Sequence, residues 1–375
     1  MTTLFLVIAL FVLLALGMPI SISIGLSSVL TALLFTPTSL ASIALKFFAT
    51  MEHYTLMSIP FFILASGYMT SGGIARRLMD FASALVGHVP GGLAVASIFA
   101  CMLFAAISGS SPATVAAIGS IVIAGMIRTG YPPSFAVGSI CCAGTLGILI
   151  PPSIPMIAYS ATTETSLGRL FLAGFFPGIM LGVLLMVAVY FYARCTGLPR
   201  MPKSSWSELY EKTRKSIWGI LLIFVIMGGI YGGAFTPTEA AAVSAVYAFV
   251  VATWVYKDCP LKDSPKVLLE AGKVTVMLMF IVGNAFLFAH VMTSERIPDM
   301  LVASVISANL EPWVFLILVN VLLLIAGNFM EPVAIITILS PVIFPIAMKL
   351  GIDPIHLGIV FVVNMERRLP REGCP

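Results

Sequence analysis

Two apolar hairpins, each interrupted at its tip by small and polar residues, constrain the fold of this chain more than any other feature. The first tip, residues 107–113, reads Ile-Ser-Gly-Ser-Ser-Pro-Ala, and the second, residues 326–332, reads Ala-Gly-Asn-Phe-Met-Glu-Pro. A bilayer tolerates irregular backbone at depth only where protein or a cavity satisfies the freed amide and carbonyl groups. Paired breaks at corresponding places in two half-chains therefore indicate a transport site.

The composition places these hairpins in a membrane. Hydrophobic residues make up 59% of the chain, charged residues make up 10%, and the mean hydropathy is +1.08. Soluble domains typically carry about 25% charged residues, so the sequence predicts an all-α, polytopic membrane protein. Residues 1–35 lack a basic start and run past the length of a signal-peptide core, so we expect mature structure there. The six cysteines form no CxxC pair and have no metal-ligand spacing, so we expect them to be small hydrophobic residues in a packed helical bundle.

Apolar segments close to the roughly 20 residues that a helix needs to cross hydrocarbon predict the spans. They are 4–17, 19–35, 55–75, 134–162, 170–193, 216–235, 238–256 and 274–293. Each of the two hairpins, 93–127 and 313–347, has a length that fits either two membrane crossings or one re-entrant loop. Re-entrant hairpins leave most loop Lys and Arg residues on one side, which the positive-inside rule makes cytoplasmic. The basic residues then left on the other side are Lys46, Arg169, Arg296 and Lys349.

The order of helix breaks repeats along the chain. Gly109, Pro112, Pro133 and Gly138 correspond in order to Gly327, Pro332, Pro354 and Gly358. Because the two hairpins enter from opposite sides, the sequence predicts a helical bundle of two inverted-topology repeats with two re-entrant helical hairpins and broken helices. The predicted parts are a first repeat at 1–162 (hairpin 93–127, broken helix 134–162), a connecting span and basic cytoplasmic loop at 163–215, a second, incomplete repeat at 216–366 (hairpin 313–347), and an atypical tail at 367–375.

Two more polar stretches, residues 39–53 and 257–273, follow corresponding span pairs in the two halves. We predict that both form helices lying in the membrane interface. At the start of the span before the second stretch, Thr236 and Glu239 have the spacing of a capping box, with Pro237 at the first helical position. This spacing predicts a helix start, not a catalytic carboxylate.

The segment 144–153, Gly-Thr-Leu-Gly-Ile-Leu-Ile-Pro-Pro-Ser, interrupts an apolar span. Pro151 and Pro152 remove two helix donors and clash with carbonyls one turn earlier, so the helix must break there. Freed carbonyls and nearby hydroxyls are oxygen ligands that suit sodium, although a proline kink filled by its neighbours is the alternative. Candidate sodium ligands at this break and the two tips are Ser108, Gly109, Ser110, Thr145, Gly147, Ile150, Gly327 and Asn328.

The polar groups of the tips also suit a carboxylate substrate. The helix that starts at Pro112 presents unpaired amides and partial positive charge at its N-terminus. Glu331 is predicted near mid-membrane, where a carboxylate is costly and indicates function, with proton coupling as an alternative to sodium coupling. Candidate substrate-binding residues are Ser110, Ser111, Pro112, Asn328, Glu331, Pro152 and Ser153.

Motifs along almost the whole chain follow the pattern of one family, notably those at 17–20, 108–114, 147–153, 232–241 and 364–366. In these residues the chain resembles the large membrane (permease) subunit of tripartite ATP-independent periplasmic (TRAP) transporters. The resemblance implies a sodium-driven importer of organic acids such as dicarboxylates in the bacterial inner membrane, working by an elevator motion. It also implies two protein partners, a small four-helix membrane subunit and a periplasmic solute-binding protein.

The end of the chain departs from that pattern. The family has a Gly-Leu-Ile-Thr-Pro-Pro run after the position of Glu366, whereas residues 367–375 of this chain read Arg-Arg-Leu-Pro-Arg-Glu-Gly-Cys-Pro. From the sequence we expect a truncated or frame-shifted end. The second sodium site would then lack half of its ligands.

Other classes of function remain open from the sequence alone. A stand-alone sodium-dicarboxylate symporter has similar inverted hairpins and needs no binding protein, and a non-transporting scaffold is a further alternative. An intramembrane enzyme would need a base beside Ser108, Ser110 or Ser111, and no intramembrane His or Lys is placed for that role. The sequence has no HExxH, P-loop, GxSxG or dinucleotide motif. We therefore predict a protein that is not an enzyme and has no nucleic-acid partner.

Overall fold

The computed structural model describes residues 2–35, 39–307, 310–328 and 330–365. These residues form α-helices joined by short turns, and no β-strand occurs among them. The helices of the first half are α1 (Thr2–Ala15), α2 (Ile20–Phe35), α3 (Leu40–Met51), α4 (Ser58–Ser71), α5 (Ile74–Val86), α6 (Gly92–Ser108), α7 (Ser111–Arg128), α8 (Pro133–Gly144), α9 (Leu146–Leu149), α10 (Ile154–Thr163) and α11 (Leu167–Thr196).

The second half continues the same helical pattern. Its helices are α12 (Trp206–Tyr231), α13 (Pro237–Val250), α14 (Ser264–Ser294), α15 (Ile297–Ser307), α16 (Pro312–Ala326), α17 (Pro332–Lys349) and α18 (Pro354–Met365). A 3-10 turn (Tyr54–Met57) precedes α4, and a π turn (Val251–Val255) extends α13.

Several helices meet the length and hydropathy that a membrane span requires, which confirms a multi-pass membrane protein. Among the described residues seven do so: Ser111–Arg128, Pro133–Thr163, Leu167–Thr196, Trp206–Tyr231, Pro237–Val255, Ser264–Ser294 and Pro332–Lys349. An eighth is reached if Ala41–Met51 and Tyr54–Ser71, bent by 58°, count as one span. The predicted hairpins at 93–127 and 313–347 are the helix pairs α6/α7 and α16/α17.

The structure corrects one sequence prediction and adds two helices. The prediction of a separate interface helix at 257–273 is wrong, because residues 264–294 form the single helix α14. Its only proline, Pro265, lies in the first turn, where a missing donor costs nothing, so nothing stops the helix before the span. The other interface candidate, 39–53, does form a separate helix, α3. The sequence reading missed α5, which carries three charges, and α15, which has only 11 residues.

Contacts between Cα atoms divide the chain into two compact units. The hairpin-1 unit comprises residues 58–154 and 171–274, and the hairpin-2 unit comprises residues 1–57, 155–170 and 275–375. Such a division does not measure internal symmetry, so the repeat boundaries stay a prediction.

The hairpin-1 unit is held by close helix packing and by a polar cluster near Arg77. The Arg77 Nη1 atom donates to the Asp258 carboxylate at 2.5 Å, and its guanidinium carbon lies 3.9 Å from the centre of the Tyr256 ring. These contacts fix α5 against the connection between α13 and α14. The predicted capping box is confirmed, because the Glu239 amide donates to the Thr236 hydroxyl and the Thr236 amide donates to the Glu239 carboxylate.

The hairpin-2 unit buries polar groups that connect distant parts of the chain. The Tyr159 hydroxyl donates to the carbonyl of Pro354 at 2.8 Å, which fixes α10 against the start of α18. The Asn284 side chain on α14 packs directly against Gly25 on α2. A Cβ added to Gly25 would stand only 2.2 Å from the Asn284 Oδ1 atom. Any larger residue at position 25 would have to displace this buried amide.

Candidate functional site

The first hairpin reverses direction within two residues. Helix α6 ends at Ser108, and Gly109 adopts a left-handed conformation with φ of 62°, which costs glycine little. Ser110 is extended and is the N-cap of α7, whose first turn contains Pro112. The proline needs no donor at that position, so the sequence at the tip favours the end of one helix and the start of the next.

A small hydroxyl cluster lies inside this tip. The Ser108 and Thr114 hydroxyl oxygens are 2.8 Å apart, and the Thr114 hydroxyl also donates to the carbonyl of Ser110 at 2.9 Å. Ser108 is 1% exposed and Thr114 is fully buried. The sequence reading did not include Thr114, although its position one turn into α7 is the signal that places it opposite Ser108.

The predicted span at 134–162 is broken at Pro151 and Pro152, as the sequence predicts. Helix α8 ends at Gly144, α9 spans only Leu146–Leu149, and α10 starts at Ile154. Between α9 and α10 the backbone leaves the helical conformation at Ile150, and a cis peptide bond joins Pro151 to Pro152. Pro152 and Ser153 are buried.

The tip and the break lie against each other within the hairpin-1 unit. The Ile154 amide donates to the carbonyl of Gly109 at 3.3 Å. A Cβ on Gly109 would stand 2.7 Å from the carbonyl oxygen of Pro152, and a Cβ on Gly147 would stand 2.8 Å from the carbonyl oxygen of Ser110. Two glycines thus let the backbone of the tip approach the backbone of the broken helix.

Two other candidate ligands of the break have different surroundings. Thr145 lies between α8 and α9, is half-buried, and donates its hydroxyl to the carbonyl of Cys142 at 2.7 Å. Ile150 is buried against Gly178 of α11, where a Cβ would stand 2.6 Å from the Ile150 Cγ1 atom. The structure thus brings together Ser108, Gly109, Ser110, Gly147, Pro152 and Ser153, and their roles as ligands stay predictions.

The second tip is built differently from the first. Gly327 follows α16 with an ordinary φ of −61°, and Asn328 is exposed with its side-chain amide donating to the carbonyl of Leu324 at 2.7 Å. Glu331 is the N-cap of α17, and its carboxylate accepts from the amides of Val333 (3.1 Å) and Ala334 (3.3 Å). This carboxylate therefore neutralises part of the positive end of the α17 dipole.

The end of α18 lies beside the second tip within the hairpin-2 unit. A Cβ on Gly327 would stand 3.4 Å from the carbonyl oxygen of Met365. The Asn364 side-chain amide donates to the Asn320 side-chain oxygen of α16 at 2.6 Å. The sequence prediction did not include Asn320, although a single amide side chain in an apolar helix is a signal that could have identified it. Residues 366–375, with Glu366 and the atypical tail, lie outside the described residues.

The donor set of these sites consists of neutral oxygens. No group of three or more His, Cys, Asp or Glu residues that could hold a metal ion occurs in the part of the chain that the structure describes. Around the first tip the oxygens are the Ser108 hydroxyl and the carbonyls of Ser110 and Pro152, of which the Ser110 carbonyl already accepts from the amide and the hydroxyl of Thr114. Such oxygens suit a weakly held monovalent cation better than a transition metal, which prefers imidazole or thiolate.

Comparisons with known proteins agree in family and fold. The family model described as "Tripartite ATP-independent periplasmic transporter, DctM component" matches residues 7–369. The "C4-dicarboxylate TRAP transporter large permease protein DctM" of Pseudomonas aeruginosa is 62% identical over 344 residues, which cover 92% of this chain and 81% of that protein. The protein of the same name from Vibrio cholerae is 53% identical over 371 residues, covering 93% and 82%.

A solved structure shares the fold at low sequence identity. The crystal structure of the Alcanivorax borkumensis YdaH transporter matches with a TM-score of 0.57 and 14% identity, covering 88% of this chain and 78% of that one. This likeness supports the helical architecture alone.

Proposed function

This chain belongs to the DctM component family of tripartite ATP-independent periplasmic transporters, and from that premise we propose that it imports C4-dicarboxylates driven by a sodium gradient. Members of this family are inner-membrane permeases and not enzymes, which agrees with the sequence prediction. The dicarboxylate class is supported by the names of two relatives that are 62% and 53% identical to this chain.

The observation that carries sodium coupling is the close approach of the first tip to the broken helix. Gly109 and Gly147 leave no room for a side chain between these two backbones. The carbonyl oxygens of Ser110 and Pro152 therefore lie at this contact, and the Ser108 hydroxyl lies 3.4 Å from the Ser110 carbonyl oxygen. None of these oxygens carries a formal charge. Irregular backbone at membrane depth that supplies carbonyl oxygens is the pattern by which transporters bind sodium. Sodium is here a co-transported substrate.

The two helix N-termini at the tips differ as binding sites for a substrate carboxylate. The Glu331 carboxylate already accepts from two amides of the first turn of α17. At α7 the Ser110 side chain makes no capping hydrogen bond. A carboxylate of the substrate would therefore suit the N-terminus of α7, where Ser111 but not Pro112 has an amide donor, better than that of α17. In this proposal Asn328 and Glu331 supply the polar side chains of the second tip.

The proposal includes two protein partners, a small membrane subunit and a periplasmic solute-binding protein, as the family implies. It is tested by uptake of labelled succinate into proteoliposomes that contain the permease, with each partner present or omitted. We expect uptake only with both partners and an inward sodium gradient, and none with a potassium gradient. Uptake by the permease alone would favour a stand-alone symporter. Equal uptake on a proton gradient without sodium would contradict sodium coupling.

A further inference from the structure

Two neighbouring cavities in the hairpin-2 unit share Lys46, Leu287 and His290 in their walls. The volumes are similar, about 260 Å³ for the cavity that contains Glu295 (the Glu295 cavity) and about 270 Å³ for the cavity that contains Pro341 (the Pro341 cavity). Lys46 belongs to α3, and His290 to the last two turns of α14. Neither residue belongs to the tips or the break, so the site described above leaves both without a role.

The Pro341 cavity combines one positive charge with neutral polar and apolar groups. Lys46, His290 and three threonines supply its polar lining, and Phe286, Leu287, Ala289 and Pro341 supply the apolar lining. The threonine hydroxyls are already used within their own helices, since Thr50 donates to the carbonyl of Lys46, Thr162 to that of Ala158, and Thr293 to that of Ala289. Donors for a ligand must therefore come from Lys46 and His290. Among the described residues, the Lys46 ammonium makes no ion pair and no hydrogen bond.

The position of the Pro341 cavity fits a path to the second tip. Pro341 lies ten residues after Glu331 on α17, a distance of about 15 Å at the rise of an α-helix. The charge distribution predicts that Lys46 is on the non-cytoplasmic side. On that predicted topology, the cavity lies between the second tip and the side from which an imported substrate arrives.

We propose that the Pro341 cavity is an entry site where Lys46 and His290 bind a carboxylate of the dicarboxylate substrate before it reaches the second tip. The inference rests on the proposed function for its substrate class. One carboxylate of succinate can accept from both donors, and its short apolar linker can then lie against the apolar wall. The Glu295 cavity has a carboxylate in its wall that would repel a dianion, so the Pro341 cavity is the one assigned. Cationic clefts raise the local concentration of anionic substrates.

The first test measures protection of the Lys46 amine in the unmodified full-length permease in lipid nanodiscs. An amine-reactive reagent labels the lysines, and peptide mass spectrometry gives the rate for each one. Succinate should slow the labelling of Lys46 about threefold or more at saturation, and leave Lys349, an exposed lysine predicted on the same side, unchanged. Equal slowing of both lysines, or of neither, would overturn the inference. Equal protection by sulfate at the same concentration would overturn the assignment to dicarboxylates.

The second test uses uptake with both partners present. Lys46→Gln, which removes one solvent-accessible ion pair, should raise the concentration of succinate-loaded binding protein needed for half-maximal uptake by up to about fivefold. His290→Leu, which removes a hydrogen-bond donor, should raise it by a similar factor. The matched control Lys349→Gln removes the same charge outside the cavity and should behave as wild type. Wild-type rates and half-saturation in both variants would refute the entry site. Absence of uptake by the wild type would contradict the proposed function instead, and the labelling result would then decide the entry site on its own.

Discussion

Replacement of Gly147 by alanine tests whether the contact between the first tip and the break forms the sodium site. The new Cβ would stand 2.8 Å from the carbonyl carbon and oxygen of Ser110 and from the amide nitrogen of Ser111. Real Cβ atoms essentially never lie under 3.0 Å from such neighbours, and all three atoms are backbone, so no flexible side chain can move aside. Overpacking of this kind typically costs about 1–3 kcal/mol.

The structure predicts where that free energy is lost. If sodium binds only when the tip is closed on the break, the same 1–3 kcal/mol opposes sodium binding, which corresponds to about a 5- to 150-fold loss of affinity. We expect the sodium concentration for half-maximal succinate uptake to rise by such a factor in proteoliposomes. The matched control is Gly138→Ala on α8, where a Cβ meets nothing within 4 Å, and its sodium dependence should match wild type.

A fold defect has to be separated from a site defect. Size-exclusion chromatography and the thermal unfolding midpoint of each purified variant show whether Gly147→Ala is still a folded permease. A folded Gly147→Ala variant with wild-type sodium half-saturation would refute the reasoning, because the crowded backbone would then be irrelevant to the cation.

Two further substitutions test the tip and the fold separately. Ser108→Ala removes the hydroxyl that lies 2.8 Å from that of Thr114 and should weaken sodium binding by about 1–3 kcal/mol. The control Ser120→Ala, farther along α7, should leave sodium binding unchanged. Equal sodium dependence of uptake in the two variants would count against Ser108 as a ligand. Thr236→Val removes the capping box with Glu239 and should lower the free energy of unfolding by about 1 kcal/mol, seen as a lower thermal midpoint with unchanged sodium half-saturation. An unchanged midpoint would show that this cap contributes nothing measurable.

Features that depend on a few neighbouring residues were predictable from the sequence. The capping box at Thr236, the turn at Gly109 and the break at Pro151 and Pro152 follow from local backbone chemistry. A missing donor or a helix cap acts over one turn and needs no distant partner. The same reasoning failed for residues 257–273, because polar composition indicates an interface only when the helix also stops, and α14 does not stop.

The sequence by itself determined that the chain spans a membrane, where its helices break, and which neutral oxygens the breaks offer. Only the tertiary structure decided which groups meet: the tip at Gly109 with the carbonyl of Pro152, Asn320 with Asn364, and Lys46 with His290 in the walls of two neighbouring cavities. These partners are far apart in the chain, and apolar periodicity gives a helix its length but not its neighbours. In a membrane most side chains are equally apolar, so small residues and rare polar pairs decide which helices pack together.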